Sequence, residues 1–427
     1  MQYTREIEVG GHYDILVAGA GPAGLSAAVS AARLGKKVAL IERNGIVGGN
    51  LTSGFVGPLM GEYAKGSISE ELNQMLNECS RKHHNVEEAK IKLTKWIDHE
   101  NIDLYLQCPV VDVVMDENTI TGVIISSGAG LSAITANIVI DATGDGNVAF
   151  LAGAPTEMGR EDGRVQPASI MFTVENVDKA QTIVCRHEEQ DTELPNGRYL
   201  QLCREAHQNG ELPENVNIVR LYPTAYSNTE RMVNATQANG INGLNPRELA
   251  VANLDLRQQM EMVVEFLRKN VWGFENCRIK DSAEMVGIRE TRRVMGEYLL
   301  TAEDLVNAKH FDTAVVHRAK FPIDIHNPSG AGQAESDTVP VQVKKPYDIP
   351  YEVLVPLKVE NLLTCGRCIS GTHRAHASYR VMNIAAATGQ AAGIAAALCV
   401  ENGTSPRKLE AKKIQDVLVD IGVQLFD

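Results

Sequence analysis

The feature that most constrains this chain is a glycine-rich turn at residues 19–24 (GAGPAG), set between an apolar stretch and an alanine-rich one. The apolar stretch, residues 14–18, has the length of a strand, and residues 22–34 have the composition of a helix. Residues 37–41 then predict a second strand. A strand, a glycine turn, a helix and a strand within about 30 residues predict a Rossmann-type βαβ unit.

Each glycine of this turn has a physical role in such a unit. Gly19 allows the tight turn after the strand, Gly21 lets the backbone approach a pyrophosphate, and Gly24 lets the helix pack close to the sheet. Pro22 and Ala23 begin the helix, whose N-terminus offers free N–H groups and the positive end of its dipole to phosphates. We therefore predict that these five residues contact a dinucleotide.

The residues after the second strand indicate which dinucleotide to expect. Glu42 ends that strand, where its carboxylate can accept ribose hydroxyls and would repel a 2′-phosphate. Six residues later comes Gly48-Gly49-Asn50. Residues 14–50 resemble the extended signature of the two-dinucleotide-fold flavoproteins, in which such a Gly-Gly pair approaches FAD. The resemblance implies FAD, although a flexible loop would also explain the pair taken alone.

Two distant segments resemble further FAD contacts of the same proteins. Residues 137–141 predict a strand that ends in the acidic glycine turn 141–146 (DATGDG). Residues 361–365 predict another strand, followed by an alanine-rich helix from about 379 to 401. In related flavoproteins the N-terminus of this helix faces O2 of the flavin ring, where it stabilises the negative charge of reduced flavin. Further candidate contacts are Arg43, Val110, Ala142, Thr143, Gly144, Asp145, Gly366, Arg367, Met382 and Asn383.

The chain as a whole resembles the FAD-dependent oxidoreductase family, which is distantly related to the flavin subunits of fumarate reductase and succinate dehydrogenase. The resemblance rests on five segments: GAGPAG at 19–24, IERNGIVGGN at 41–50, DATGDG at 141–146, MVGIRETRRVMGEYLLT at 285–301, and the region from NLLTCGR at 361 to GQAAGIAAAL at 389–398. It implies redox chemistry on non-covalent FAD and leaves the substrate open.

The positions of these segments predict an α/β fold with a discontinuous cofactor domain. Residues 1–155 and 340–427 are expected to form a Rossmann-like FAD-binding domain, and residues 156–339 an inserted α+β substrate or cap domain. In the first part we expect helices at 67–79 and 86–100 and a hairpin of strands 110–116 and 121–126. In the insert we expect strands at 169–174, 217–222, 231–234 and 313–318 and a long helix at 246–270.

A dense group of charges at residues 289–293 (RETRR) is the first candidate for substrate binding. A guanidinium group suits a substrate carboxylate, so Arg289 and Arg292 are candidate anchors. A structural network in which arginines of this group pair with Glu290 at the domain interface is the alternative, and we weigh it as the stronger one.

Side chains just before the predicted flavin-facing helix form the second candidate group. A proton carried by His373, His376 or Tyr379 could move while hydride passes to flavin N5. Arg380 lies in the same stretch, and each of these side chains could instead only cap or pack. His326 is a weaker candidate from the other predicted domain.

The cysteines argue for free thiols. Of the eight in the chain, Cys365 and Cys368 have the spacing of a redox dithiol. Cys365 ends an apolar strand, where a small buried residue serves equally well, so we favour a structural role. Scattered thiols indicate a reducing, cytoplasmic setting. No second pair of ligands accompanies this one, and we expect no metal site.

The overall charge restricts the expected partners. A net charge of −13, from 54 acidic and 41 basic residues, argues against nucleic acid and anionic membrane surfaces. The first nine residues lack the apolar core of a signal peptide, and no apolar run predicts a membrane span. A homo-oligomer is compatible with the sequence.

Together these patterns predict a flavoenzyme that passes hydride between flavin N5 and a small polar substrate. A carboxylate of that substrate is the group that the arginines are expected to bind. No second glycine-rich dinucleotide motif is present, so the electron donor or acceptor is expected to be a separate molecule. A flavin monooxygenase is one alternative, although such enzymes usually carry a Gly-Asp-Ala-Ala-His type turn where this chain has Cys-Gly-Arg-Cys. A non-catalytic electron-transfer flavoprotein is another.

Overall fold

The computed structural model describes residues 4–76, 85–180, 183, 185, 191–224, 227–332 and 342–425. The strands in these ranges are β1 (Glu8–Ala18), β2 (Val38–Ile41), β3 (Asp103–Tyr105), β4 (Val110–Asp116), β5 (Thr119–Ser127), β6 (Gly130–Asp141), β7 (Thr156–Met158), β8 (Phe172–Glu175), β9 (Glu193–Leu194), β10 (Gly197–Arg198), β11 (Arg220–Pro223), β12 (Arg231–Asn234), β13 (Arg278–Ser282), β14 (Arg292–Val294), β15 (Ala314–Ala319), β16 (Tyr347–Pro350) and β17 (Leu362–Thr364). The helices are α1 (Pro22–Arg33), α2 (Ile68–Leu76), α3 (Val86–His99), α4 (Asn147–Leu151), α5 (Tyr199–Gln208), α6 (Pro246–Asn270), α7 (Ala302–Val306), α8 (His373–Tyr379), α9 (Met382–Asn402) and α10 (Ala411–Asp420).

A seven-stranded sheet brings the predicted cofactor segments to one edge. Its strands lie in the order β3-β2-β1-β6-β5-β4, and β17 also pairs with β6. β1, β2, β3, β6 and β17 pair in parallel, whereas β4 and β5 pair in antiparallel fashion. Ala18 pairs with Asp141, and Asp141 pairs with Thr364, so the carboxyl ends of β1, β6 and β17 lie side by side. The turns after these strands therefore meet.

Two helices rich in small residues pack together against this sheet. An added Cβ at Gly389 on α9 would lie 2.0 Å from the Ala23 oxygen on α1, and one at Gly393 would lie 2.2 Å from the Ala27 oxygen. Glycine at these two positions lets the helices approach to backbone contact. By length and composition α9 could cross a membrane, but 89% of its most apolar stretch is buried inside the protein, which is the environment of a core helix.

A second hydrophobic core surrounds a four-stranded antiparallel sheet with the order β11-β12-β8-β13. The long helix α6 begins at Asn245, whose side chain accepts two N–H groups of the first turn. Its buried residues recur at helical spacing and include Ala252, Leu256, Val263 and Leu267. This face packs into the second core.

The α/β fold with a Rossmann-type parallel sheet is confirmed. β4, β12 and α6 have the predicted bounds, whereas the strands predicted at 169–174, 217–222 and 313–318 begin one to three residues later. The helix predicted at 67–79 is observed to Leu76, and its remaining residues lie outside the described ranges, as does the domain boundary placed at 339–340. The division into two domains therefore stays a prediction.

The helix predicted from about 379 to 401 is wrong at its start. Two helices occupy this stretch, because Val381 adopts an extended backbone (ψ 153°) as the N-cap of α9 and Arg380 ends α8. Tyr379 is therefore the last residue of α8 and not the first of the long helix. The break places Arg380 immediately before the N-terminus of α9.

Candidate functional site

Close backbone contacts hold the glycine turn after β1. Gly19 has a φ of +96°, and an added Cβ there would lie 2.5 Å from the Ala142 oxygen. An added Cβ at Gly24 would lie 1.8 Å from the Gly19 oxygen, whereas one at Gly21 would meet no atom within 4 Å. The fold itself thus requires Gly19 and Gly24, while Gly21 borders open space.

The N-terminus of α1 faces this turn with unpaired donors. Gly21 is its N-cap and supplies no side-chain cap, and Pro22 has no N–H group. No acceptor in the described chain bonds the N–H groups of Ala23 and Gly24. Free N–H groups at the positive end of a 12-residue helix suit a phosphate anion.

The Gly48-Gly49 pair lies against the same turn. The Gly48 N–H donates to the Ala20 oxygen at 2.7 Å, and an added Cβ at Gly49 would lie 3.1 Å from the Gly21 Cα. Asn50 follows within a short 3₁₀ turn. The chain after β2 is therefore a second wall beside Gly21.

Glu42 is buried, and its carboxylate binds the backbone of the turn. Oε2 accepts the Ala20 N–H at 2.8 Å, and Oε1 accepts the N–H and the side-chain amide of Asn44 at 2.8 and 2.7 Å. Each carboxylate oxygen has two acceptor positions, so one position on Oε2 remains for a ribose hydroxyl. Glu42 thus holds the turn in place in addition to its predicted role.

Asp145, in the turn after β6, is the centre of an ion-pair network. Arg367 Nη2 lies 2.6 Å and Arg43 Nη1 3.2 Å from its carboxylate, and the Thr291 hydroxyl donates to it at 2.8 Å. Burial opposes ionisation of Asp145, but the charges of Arg367 and Arg43 outweigh burial and hold its pKa below the ordinary value. One carboxylate therefore joins the segments after β2, β6 and β17.

The segment after β17 completes this arrangement. Gly366 has a φ of +77°, and an added Cβ there would lie 2.8 Å from the Ala23 Cβ, at the start of α1. Arg367 Nη1 is buried and donates no hydrogen bond to any described residue. An orphaned guanidinium N–H and free helix amides are donors suited to phosphate or sugar oxygens. The residues present therefore fit a dinucleotide such as FAD.

Asp145→Asn is expected to destabilise the protein by about 3 kcal/mol at pH 7, because two arginines lose their carboxylate. Folding lowers the pKa of Asp145, so its stabilising contribution is present at neutral pH and is lost as the pH falls below about 4. Urea denaturation of the wild type and of Asp145→Asn at pH 7 and pH 3 measures their free energies of unfolding. The difference between the two proteins should be smaller at pH 3 than at pH 7. Asp162→Asn, which changes an exposed aspartate, should leave stability nearly unchanged. An equal difference at both pH values would contradict the ionic role of Asp145.

Other predicted cofactor residues lie around this network. Ala142, Thr143 and Gly144 form the turn after β6, where the buried Asp141 carboxylate accepts the Thr143 N–H at 3.0 Å. Val110 opens β4, at the outer edge of the sheet. Contact of these residues with the cofactor stays a prediction.

Met382 and Asn383 form the first turn of α9. The Asn383 side chain donates to the Gly61 oxygen at 2.9 Å and accepts an amide hydrogen of Asn73 at 2.7 Å. Its N–H donates to the Met60 oxygen at 3.1 Å. Asn383 therefore fastens α9 to α2 and to the chain before it, and its contact with the flavin stays a prediction.

The charges at 289–293 divide into separate groups. Arg293 pairs with Glu290 at 2.6 Å, both are buried, and His373 Nδ1 lies 2.9 Å from the same Glu290 oxygen. Arg292 lies over the Phe150 ring at 3.9 Å and donates to the backbone after β6. The predicted pairing with Glu290 is thus observed for Arg293, whereas Arg292 binds the turn after β6.

His376 and Tyr379 are fully buried on α8. Neither ring nitrogen of His376 has a hydrogen-bond partner among the described residues, and burial together with the charge of Arg380 lowers its pKa well below the ordinary value. The Tyr379 hydroxyl donates to the Ile369 oxygen at 3.0 Å, and burial raises its pKa. A packing role accounts for the Tyr379 ring, and the predicted role of both rings in proton transfer stays a prediction.

Cys365 and Cys368 are free thiols in the core. Burial raises the pKa of both thiols well above the ordinary value, so both are protonated at neutral pH. Because the thiolate is the reactive form of cysteine, this environment favours the structural role.

Arg289 belongs to a different group of buried cations. Its Nη1 donates to the Pro167 oxygen at 2.7 Å. Burial, and then the charge of Arg380, lower the pKa of Arg289 below its ordinary value, and Arg220 acts in the same direction. Arg289 therefore lies among like charges, which the Asp324 carboxylate opposes.

Arg380 and its neighbours complete this group. Arg380 Nη2 lies 3.7 Å from the Asp324 carboxylate, and His326 Nε2 lies 3.6 Å from it. Burial, followed by the charge of Arg289, lowers the pKa of His326 to about 4, so its ring is neutral at pH 7. The side chains that we call the cationic cluster are those of Gln166, Arg220, Arg289, Asp324, His326 and Arg380.

Sequence reasoning identified part of this cluster. It named Arg289 as an anchor and His326 as a weaker candidate, and it noted Arg380 in the stretch before the flavin-facing helix, but it missed Arg220 and Gln166. Arg220 is 7% exposed and stands in an apolar stretch (IVRLY). An arginine within a predicted strand was therefore the sequence signal that could have indicated a buried charge. No comparable signal marks Gln166.

Comparison with known proteins places this geometry in a family. A family model described as FAD dependent oxidoreductase matches residues 14–418. The thiamine thiazole synthase of Pyrococcus horikoshii is 26% identical over 161 residues, which are 34% of this chain and 62% of that protein. The tRNA uridine 5-carboxymethylaminomethyl modification enzyme MnmG of Alkaliphilus oremlandii is 29% identical over 150 residues, 28% of this chain and 22% of that protein. The matches thus span less than two thirds of either relative.

Among solved structures, p-nitrophenol 4-monooxygenase PnpA from Pseudomonas putida DLL-E4 has a TM-score of 0.51 over 94% of this chain and 83% of that one, at 9% identity. At this identity the likeness shows the fold alone. The family model covers nearly the whole chain and identifies an enzyme that uses FAD. This protein belongs to the FAD dependent oxidoreductase family.

Proposed function

We propose that this enzyme passes hydride between a small carboxylate-bearing substrate and N5 of the flavin, with a separate molecule as electron donor or acceptor. Bound FAD supplies the hydride chemistry, and the residues of the chain position the substrate. The observation that carries the proposal is the cationic cluster, whose three arginines and orphaned buried donors suit an organic anion.

Like charges act on one another in the cationic cluster. Burial, and then the charges of Arg380 and Arg220, lower the pKa of Arg289, while the Asp324 carboxylate acts in the opposite direction. Repulsion between buried positive charges is unfavourable, so an anion bound beside them would stabilise the site. Guanidinium groups bind carboxylates through charge-assisted hydrogen bonds, which makes a carboxylate the expected group.

Two buried donors in the cluster also lack acceptors. Arg380 Nε and Gln166 Nε2 donate no hydrogen bond to any described residue. Buried donors are nearly always satisfied in folded proteins, so orphaned ones indicate a missing partner. Oxygen atoms of a bound substrate would supply it.

The position of Arg380 relates the cluster to the flavin. Arg380 directly precedes Val381, the N-cap of α9, and the family resemblance implies that the N-terminus of α9 faces the flavin ring. A carboxylate held by Arg380 and Arg289 would leave the rest of the substrate close to that ring. Binding of the remote carboxylate would then orient the reacting carbon, which is how charged anchors assist a hydride transfer.

Anaerobic reduction of the bound flavin tests this proposal. In a panel of 2-hydroxy acids, 2-amino acids and saturated acids, with their neutral amides as controls, we expect at least one acid to bleach the flavin absorbance and its amide to be at least about tenfold less efficient. Oxidation of the reduced protein by an unsaturated or keto acid would establish the reverse direction. NAD(P)H oxidation coupled to oxygenation of a substrate, or reduction by a protein partner alone, would overturn the proposal in favour of a monooxygenase or an electron-transfer protein.

A further inference from the structure

A group of metal-ligating side chains lies outside the cationic cluster and the cofactor segments. His310 follows α7, His317 lies on β15, and Asp348 lies on the adjacent strand β16. One donor atom from each of the three lies within 4.8 Å of the other two. We propose that these three side chains bind a divalent transition metal ion, with Zn²⁺ as the best match. This inference does not depend on the proposed function.

Asp348 is the buried anchor of this group, with 3% of its surface exposed. His310 Nδ1 lies 2.9 Å from its Oδ2, and His317 Nδ1 contacts its Oδ1 as an ion pair. Each carboxylate oxygen of Asp348 therefore faces an imidazole nitrogen. The three side chains bring together the nitrogen and oxygen donors that Zn²⁺ binds.

The electrostatics of Asp348 support the same conclusion. Its ion-pair partners among the described residues are His310 and His317, which carry positive charge only when protonated. A carboxylate removed from water requires a compensating charge. A divalent cation bound between Asp348 and two neutral imidazoles would supply that charge and would bind the ring nitrogens as well.

The donor set and its exposure narrow the choice of ion. Two imidazole nitrogens with one carboxylate favour Zn²⁺, Co²⁺ or Ni²⁺ over Mg²⁺ and Ca²⁺, which prefer sites made of oxygen atoms. The exposed fractions of the side chains are 76% for His310, 11% for His317 and 4% for Asp348. An ion can therefore enter from solvent past His310, and three protein ligands leave a fourth position for water.

Such an ion would cross-link three elements. The chain after α7 would be joined to β15 and β16, whose pairing is interrupted by register shifts between Ala314 and Val316 and between Val316 and Ala319. β15 in turn packs against α9. The expected consequence is a gain in stability on metal binding rather than a change in the redox reaction.

Calorimetric titration of the metal-free, FAD-loaded protein with ZnCl₂ tests the inference. We expect one Zn²⁺ per chain, a raised melting temperature, and no competition from a large excess of MgCl₂. His310→Ala and Asp348→Asn should each weaken Zn²⁺ binding at least about tenfold. His99→Ala is the matched control, because His99 is an exposed histidine 3.8 Å from the Glu100 carboxylate without a second imidazole.

Flavin content reports whether each variant is folded. Should Asp348→Asn not fold, His310→Ala still decides the question, because that side chain is exposed. Absence of Zn²⁺ binding to the wild-type protein would overturn the inference and leave a His–Asp–His contact without metal. Zn²⁺ binding that His310→Ala and His99→Ala affect equally would overturn it as well. Neither result would bear on oxidation of a carboxylate substrate.

Discussion

Arg289→Gln is expected to raise the KM for the carboxylate substrate by about 10- to 100-fold while the flavin content and spectrum stay those of the wild type. Hydrogen bonds to a charged group contribute about 1.5–3 kcal/mol each, and 1.4 kcal/mol corresponds to tenfold. Glutamine keeps an N–H donor for the Pro167 oxygen that Arg289 now binds, so the change removes mainly the charge. Anaerobic flavin reduction at varied substrate concentration measures the effect.

Arg292→Gln is the informative comparison within the same motif. Arg292 stacks on Phe150 and donates to the backbone oxygen of Asp145, so its loss is expected to weaken flavin retention without a comparable rise in KM. Arg278→Gln, at an exposed arginine paired with Glu175, should change neither quantity. The opposite pattern, with KM raised only by Arg292→Gln, would show that the cationic cluster is not the substrate site.

The cofactor side of this molecule was predictable because its constraints are local. Gly19 and Gly24 are required by contacts within a few residues or with the neighbouring strand, and such contacts leave a recognisable pattern in the sequence. Glu42 follows from its position at the end of a short apolar strand. The parallel sheet follows from the same pattern, since strands joined through a helix pair in this way.

The substrate side was predictable only in part, because it depends on tertiary contacts. Arg220 comes from β11, Arg289 from the chain before β14, and Arg380 from the break between α8 and α9, so no spacing rule relates them. The break itself was missed because both flanking stretches have helical composition, and only the extended backbone of Val381 separates them. His317 and Asp348 likewise meet through strand pairing between β15 and β16.

Alanine substitutions at two glycines of the turn after β1, Gly24 and Gly21, are expected to impair different properties, the first folding and the second FAD binding. The Cβ of Gly24→Ala would lie 1.8 Å from the Gly19 oxygen, so α1 would have to shift on the sheet. We expect a loss of about 3 kcal/mol or more in the free energy of unfolding, with loss of FAD as a consequence of the disturbed fold. Gly128→Ala, whose Cβ would meet no atom within 4 Å, is the control for a tolerated change.

Gly21→Ala separates cofactor binding from folding. The backbone of Gly21 (φ −71°, ψ −178°) is accessible to alanine, and the added Cβ would meet no atom within 4 Å. The free energy of unfolding of the Gly21→Ala apoprotein should therefore lie within about 0.5 kcal/mol of that of the wild-type apoprotein. The same methyl group would enter the space beside the free amides of Ala23 and Gly24, where a pyrophosphate is expected, and should lower FAD affinity at least about tenfold. Fluorescence titration of apoprotein with FAD, alongside urea denaturation, measures both quantities. Unchanged FAD affinity in a stable Gly21→Ala protein would show that the pyrophosphate does not approach the N-terminus of α1.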